Sequence, residues 1–234
     1  MQGEAATWPR KTTMLPPLRD PLRTRRALRS RGGCGIAGRM NPKTDGRFPG
    51  VRIAASAQIH GNVAIGNGSS VWPNAVMRAE CQQIRIGRLT NIQDFVMLHV
   101  GYEHPTIIGD FCSITHHATV HGAKVGEACL IGIGAVLMDG VVLGAGSIVA
   151  GGSVLTEGSL FADGSVVAGI PARVIRSRDS SRANRLNAWL YHRNSLAYAR
   201  GDERAWDGPE FEAWKRALTA EIERDEDRER LESI

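Results

Sequence analysis

From Ile53 to about Ile170 the chain places an aliphatic residue at every sixth position over long runs. Ile53, Ile59, Ile65, Val71 and Met77 form one run, Ile86, Ile92 and Leu98 a second, and Ile108, Ile114 and Val120 a third. Val125, Ile131, Leu137, Leu143, Val149 and Leu155 complete the series. Small or turn-forming residues often follow the aliphatic one, as in Ile65-Gly66, Ile86-Gly87 and Ile131-Gly132, and Ser, Thr, Ala or Val commonly takes the fifth place. A helix would need apolar residues at intervals near 3.6, and the wealth of Gly and β-branched residues disfavours one. A six-residue period is a sequence signature of the parallel β-helix. Three such units close one triangular coil of about 18 residues, with the aliphatic residues stacked inside as a column. Successive coils then lie about 4.8 Å apart, the spacing of hydrogen-bonded strands.

The period is lost after Ile170-Pro171. Leu186, Trp189, Leu190, Leu196 and Ala197 fall near one helical face, and Phe211, Trp214, Leu218 and Ile222 on another, with breaks at Gly201 and Gly208-Pro209. Two helices are expected, covering a prism face or an open end of the β-helix. The stretch from Glu223 to Glu232 alternates acids with arginines and reads as a solvated helix end. The expected organisation is a basic leader over 1–45, the β-helix over 46–176 and a helical extension over 177–234.

The formal charge of +5 comes mainly from the leader, where Arg10, Lys11, Arg19, Arg23, Arg25, Arg26, Arg29, Arg31 and Arg39 meet few acids. The basic balance therefore describes a tail and not a nucleic-acid-binding face. The leader has the composition of a mitochondrial presequence. It equally suits a disordered leader, or a gene start placed too early, with Met40 just before the patterned region. Cys34, Cys81, Cys112 and Cys129 lack CxxC spacing, so packed thiols in a reducing compartment are expected. No apolar run reaches the roughly 20 residues of a bilayer span. A soluble cytoplasmic protein is the expectation, with the mitochondrial matrix as alternative.

Three of the seven histidines sit in the repeat at a testable spacing. Leu98 to Ile108 spans ten residues where the period needs six, so Gly101-Tyr102-Glu103-His104 reads as a four-residue outward excursion. Without it, His99 and His121 are one coil apart and hold the same place in the repeat, each directly after an inward residue. Two imidazoles at strand spacing can converge on one metal with M–N distances of about 2.0–2.1 Å. His116 lies across a corner on another face, where only a neighbouring subunit could bring it to the same metal. A homotrimer with three interfacial sites is the implied assembly. The bland alternative is that outward histidines are polar surface, or that one of them is the general base of an acyltransferase. His117 reads as a bystander, and His60, His104 and His192 have no partner signal.

Arg78-Ala79-Glu80, then Thr90-Asn91-Ile92-Gln93-Asp94 with His99 five residues beyond, then His116-His117-Ala118-Thr119-Val120-His121-Gly122 together resemble the γ-carbonic anhydrase family over roughly residues 48–175. The resemblance implies a left-handed β-helix. It implies that His99, His116 and His121 bind Zn2+, with Fe2+ or Co2+ as alternatives, and that His116 is donated across the interface. It further implies that Gln93 contacts metal-bound water or hydroxide, that Asn91 orients that solvent or the substrate, and that Arg78 and Asp94 serve polar pairing at the interface, a plain structural ion pair being the alternative. The implied reaction is reversible hydration of CO2 to bicarbonate by metal-bound hydroxide. The chain departs from the family pattern twice: the prototype's acidic loop has no counterpart, and the R-x-D motif is Arg78-Ala79-Glu80. Glu80, Glu103 or His104 remain as proton relays. Three other readings stand beside it: a hexapeptide acyltransferase, a metal-dependent thioesterase acting on a small acyl substrate, and a trimeric scaffold of low activity such as the γ-carbonic-anhydrase-like components of mitochondrial complex I.

Overall fold

The computed structural model describes residues 47–234, so the leader expected over 1–45 lies outside the described residues. Short strands recur on three faces. The first carries the parallel strands Arg52–Ile53, Ser70–Val71, Asn91–Ile92, Ser113–Ile114, Leu130–Ile131, Ile148–Val149 and Ser165–Gly169. The second stacks Met97–His99, Thr119–His121, Val136–Leu137 and Val154–Leu155, and the third Thr106–Ile108, Lys124–Val125, Val142–Leu143 and Leu160–Phe161. Two longer strands, Gln58–Ile65 and Val76–Ile86, run round a corner and join these last two faces. This is the left-handed parallel β-helix with C-terminal helices. Most of its strands are only two or three residues long because the chain must turn at every sixth residue.

The inward residues form one continuous core, with Val71, Met77, Ile92, Leu98, Ile114, Val120, Ile131, Leu137, Val149 and Leu155 fully buried. Each sits over its equivalent in the next coil, as in the Ile92–Ile114 and Leu98–Val120 register pairs. The period slips once beside the second face. Register passes from Gly61–Ala79 to Val63–Ile84, so the 80–83 segment stands opposite Asn62 alone and bulges outward. Glu80 and Cys81 are consequently exposed. The exposed Cys81 corrects the expectation of packed cysteines, which holds for Cys112 and Cys129.

The ending also differs from expectation. Beyond Ile170-Pro171 the chain does not go straight to a helix but folds back as Ala172–Ser177, pairing antiparallel with Ser165–Gly169. That hairpin covers the last open backbone edge of the first face. Helix α1 (Ser181–Ala199) then runs along the first face, against its first four strands. Leu89, Phe111 and Ala128 share one corner and all have positive φ, between 48° and 56°. Left-handed backbone costs a non-glycine residue about 1–2 kcal/mol. Burying Leu89 and Phe111 to 1% exposure against Trp189 of α1 returns about 1.5–3 kcal/mol each, so the strained corner is held by the helix packed on it.

Helix α2 (Pro209–Glu223) starts with proline at its first position, and a short α3 (Asp227–Glu232) follows. The alternating segment is therefore not simply a solvated end. Asp227 and Leu231 are buried, and Asp227 receives the Trp189 indole N–H at 3.3 Å while facing the buried Arg185 at 3.4 Å. Sequence alternation concealed this because the partner arginine is on another helix.

The core column makes a direct prediction. Ile131→Ala should cost about 2–5 kcal/mol in denaturant unfolding, whereas Leu160→Ala, at a position 76% exposed, should stay within about 0.5 kcal/mol.

Candidate metal centre

The second face carries an outward column in which Arg78 pairs with His99 and His99 with His121 as strand neighbours. Both histidines are half-buried, each next to an inward residue that anchors its backbone. Their rings are 4.9 Å apart, and His99 Nδ1 lies 3.0 Å from His121 Nε2. Each outer nitrogen is engaged by a carboxylate. His99 Nε2 is 3.0 Å from Glu80 Oε2, and His121 Nδ1 is 2.6 Å from Asp139 Oδ1. His116 repeats the arrangement at the corner between the first and second faces, with Nδ1 3.1 Å from Asp94 Oδ2. Among the described residues His60, His104, His117 and His192 have no such carboxylate. His60 touches Gln58, His117 stacks on Phe95 and His192 bonds the Gly68 carbonyl.

A carboxylate accepts only, so an outer N–H donated to it leaves the inner nitrogen of a neutral ring as a lone pair. With both rings neutral, His99 Nδ1 and His121 Nε2 face each other as two acceptors at 3.0 Å, a spacing at which two imidazoles can share one cation. Two ligands at about 2.0–2.1 Å from one metal stand roughly 2.9–3.4 Å apart, depending on the angle. The donor set fits a divalent metal. One chain does not complete it: among the described residues no three His, Cys, Asp or Glu side chains come together as a metal cluster. His116 stays with Asp94 at its own corner.

The flanking polar residues interlock. Gln93 and Asn91 are both 1% exposed, and Gln93 Nε2 donates to Asn91 Oδ1 at 2.9 Å. Asn91 Nδ2 donates to Ser113 Oγ at 2.8 Å and to the Cys112 carbonyl at 3.3 Å. Ser113 also receives Asn187 Nδ2 from α1 at 2.8 Å. Gln93 Oε1 is left as a free acceptor among the described residues. Arg78 forms an ion pair with Glu80, while Asp94 is paired with His116. Desolvation works to raise the Glu80 carboxyl, but hydrogen bonds from its own backbone N–H and from His99, with the Arg78 charge, hold it below the usual range. Glu103 and His104 lie exposed on the 101–104 excursion.

Three residues escaped sequence reasoning. Asp139 is eighteen positions after His121, so the coil period carried a signal for it. Its carboxylate lies over Gly101 and Gly122; Gly122 has φ +58°, and a Cβ on either glycine would collide with Asp139 Oδ1. Asn187 and Tyr191 arrive from α1, and no local pattern marks them. Tyr191 packs edge-on against Trp72 at 5.6 Å, and its phenol is pushed up to about 12 by burial, then by the Asp94 and Tyr198 charges, so it remains a neutral donor.

Known proteins resemble this chain in sequence and in fold. A probable carbonic anhydrase of Methanocaldococcus jannaschii is 52% identical over 126 residues, which cover 54% of this chain and 79% of that protein. The chain belongs to the γ-carbonic-anhydrase-like hexapeptide-repeat family. The bacterial transferase hexapeptide pattern (six repeats) matches residues 122–157. A second γ-carbonic-anhydrase relative, gamma carbonic anhydrase 1, mitochondrial, of Arabidopsis thaliana, is 37% identical over 159 residues, 65% of this chain but only 58% of that one. A solved hexapeptide transferase family protein from Anaplasma phagocytophilum superposes with a TM-score of 0.58 at 35% identity, covering 65% of this chain and 89% of that one. No helix among the described residues is long and apolar enough to cross a membrane.

The interlocked amides can be tested apart from any activity. Asn91→Ala leaves Gln93 Nε2 without its acceptor, and a loss of about 1–3 kcal/mol in unfolding free energy is expected.

Proposed function

We propose that the chain is a γ-class carbonic anhydrase, interconverting CO2 and bicarbonate at a divalent-metal site shared between subunits of a homotrimer. The observation that carries this reading is the His99–His121 pair, two inner nitrogens 3.0 Å apart with their outer nitrogens on carboxylates. His99 and His121 of one subunit and His116 of the next would hold the metal. Three imidazoles with an open position suit Zn2+, and Fe2+ or Co2+ would accept the same donors. Such a cation lowers the pKa of bound water to about 7 and so supplies a nucleophile at neutral pH.

The chain's own residues do the remaining work. Glu80, Asp94 and Asp139 each take the far N–H of one histidine, fixing its tautomer and ring plane and raising the basicity of the ligating nitrogen. Arg78 holds Glu80 in place. Gln93 offers Oε1 to a water proton, and Asn91, anchored on Ser113, keeps the Gln93 amide turned the right way. His104 stands beside Gly122 and Gly140, next to the glycine cradle of Asp139, and relays the released proton to solvent. The trimer draws support from the His116 corner, where Phe95 and Ile133 are 53% and 59% exposed, an apolar strip suited to a neighbouring subunit. Unpaired thiols at Cys81, Cys112 and Cys129 suit a reducing compartment, and we assign the protein to the cytoplasm.

Acyl transfer is the second reading, on the strength of names borne by similar solved structures, including a putative acetyltransferase of Bacillus cereus at TM-score 0.53 and 28% identity. A transferase needs one base, and three carboxylate-backed histidines exceed that need. Anaerobically purified protein should carry one metal per chain, sediment as a trimer and hydrate CO2 in stopped flow. Acyl-CoA hydrolysis or transfer without CO2 hydration would replace the proposal.

Two variants probe the parts. His121→Ala should abolish hydration and metal retention; unchanged activity would remove the metal mechanism. Asp139→Asn should weaken metal affinity about 10–100-fold in chelator competition while leaving the fold intact. For the relay, His104→Ala should slow hydration in dilute buffer and recover on addition of imidazole.

A further inference from the structure

The C-terminal helices enclose a pocket of about 360 Å3 that the proposed metal site does not use. Three arginines line it, Arg193 from α1, Arg200 just after α1 and Arg230 from α3, against one acidic residue, Asp202. Arg230 is paired with Glu221 at 3.1 Å. Arg193 and Arg200 have no acid within ion-pair distance among the described residues, and Asp202 instead accepts the backbone N–H of Arg204. Arg193 Nε is buried and has no hydrogen-bond partner among the described residues. Its charge is therefore left unsatisfied by the chain, a costly arrangement that sets Arg193 apart from a solvated surface arginine.

Two of these cations are held in place. The Arg193 guanidinium lies 4.8 Å over the Trp214 ring, and that of Arg230 lies 5.1 Å over Trp189. Indole faces restrict the rotamers of both side chains before any ligand arrives. The charges of Arg200 and Arg230 also act on neighbouring cationic groups. Desolvation, and after it the Arg200 charge, lowers the Arg52 guanidinium. Burial lowers His192, which the Gly68 carbonyl opposes, and the Arg52 and Arg230 charges lower it further.

We propose that this pocket binds a phosphorylated small molecule, with its phosphoryl oxygens received by Arg193, Arg200 and Arg230. The planar guanidinium fork matches phosphoryl oxygens two at a time, and several converging positive charges suit a dianion better than a single carboxylate. The volume is that of a small-molecule site, and the apolar wall of Leu196, Ala197 and Ala205 leaves room for an organic part.

Calorimetric titration of the full chain with ADP and with inorganic pyrophosphate tests this at low salt. Binding of ADP with Kd below about 1 mM is expected, weakened at least about tenfold in Arg193→Gln and in Arg200→Gln. Arg200 is exposed and its side chain makes no bond among the described residues, so Arg200→Gln reports on binding without threatening the fold. Arg204→Gln, whose arginine pairs with Asp207 outside the pocket, should bind as the wild type does. Tighter binding of ADP than of pyrophosphate supports an organic part against Leu196 and Ala205, and equal binding confines recognition to the phosphoryl groups. No heat from either probe at about 10 mM, or unchanged affinity in both pocket variants, would overturn the proposal.

Discussion

Everything described here depends on the backbone hydrogen bonds between coils, which lock residues from successive turns side by side at strand spacing. Ala118 receives the Met97 N–H at 3.0 Å, and His99 receives the Gly122 N–H at 3.2 Å, so the strand carrying His99 cannot slide against the one carrying His121. A one-residue slip would turn Leu98 and Val120 outward and scatter the site in the same movement. Core and site are therefore specified by one constraint. The aliphatic column fixes the register, and the register sets the distance between two imidazoles.

The carboxylates add direction to that distance. A histidine on a β-helix face can rotate about its own side-chain bonds, and stacking alone does not say which nitrogen looks where. Glu80 reaches His99 because the 80–83 bulge carries it out of the strand, and Asp139 reaches His121 because two glycines leave room for its carboxylate. Irregularities that weaken the ideal repeat thus supply the groups that orient the two imidazoles. This coil is one residue short, since Leu137 lies beside Val120, so Met138 takes the register place next to His121 and the following residue, Asp139, supplies the polar partner.

How much of this was legible follows from which interactions are periodic. The fold and the His99–His121 juxtaposition could be read by counting, since subtraction of the 101–104 excursion gives the observed pairing. Asp139 obeys nearly the same count and could have been found by adding one coil to His121. The 80–83 bulge was overlooked although Met77 to Ile86 exceeds one period, because no histidine count depended on it. Asn187, Tyr191 and the buried Asp227 were out of reach for another reason: they act through the docking of helices on the β-helix or on one another, which no local spacing encodes. The antiparallel strand Ala172–Ser177 was hidden likewise, since it follows the end of the six-residue period and only Ala172 of its six residues is buried.

In the proposed site, the separation of His116 from the other two ligands has a thermodynamic consequence. A chain alone offers two nitrogens, and two imidazoles hold a divalent ion less firmly than three. If the third is a neighbour's, metal binding and subunit association share one free energy, and each favours the other by the same factor. Asp94 then matters to both, because it fixes the His116 ring at the corner where a neighbour must meet it. The basic pocket lined by the helices is free of this dependence: every group lining it comes from one chain, and two of its three arginines lie over that chain's own indoles. On the proposed reading the β-helix carries a site that needs assembly, and the helical extension one that does not.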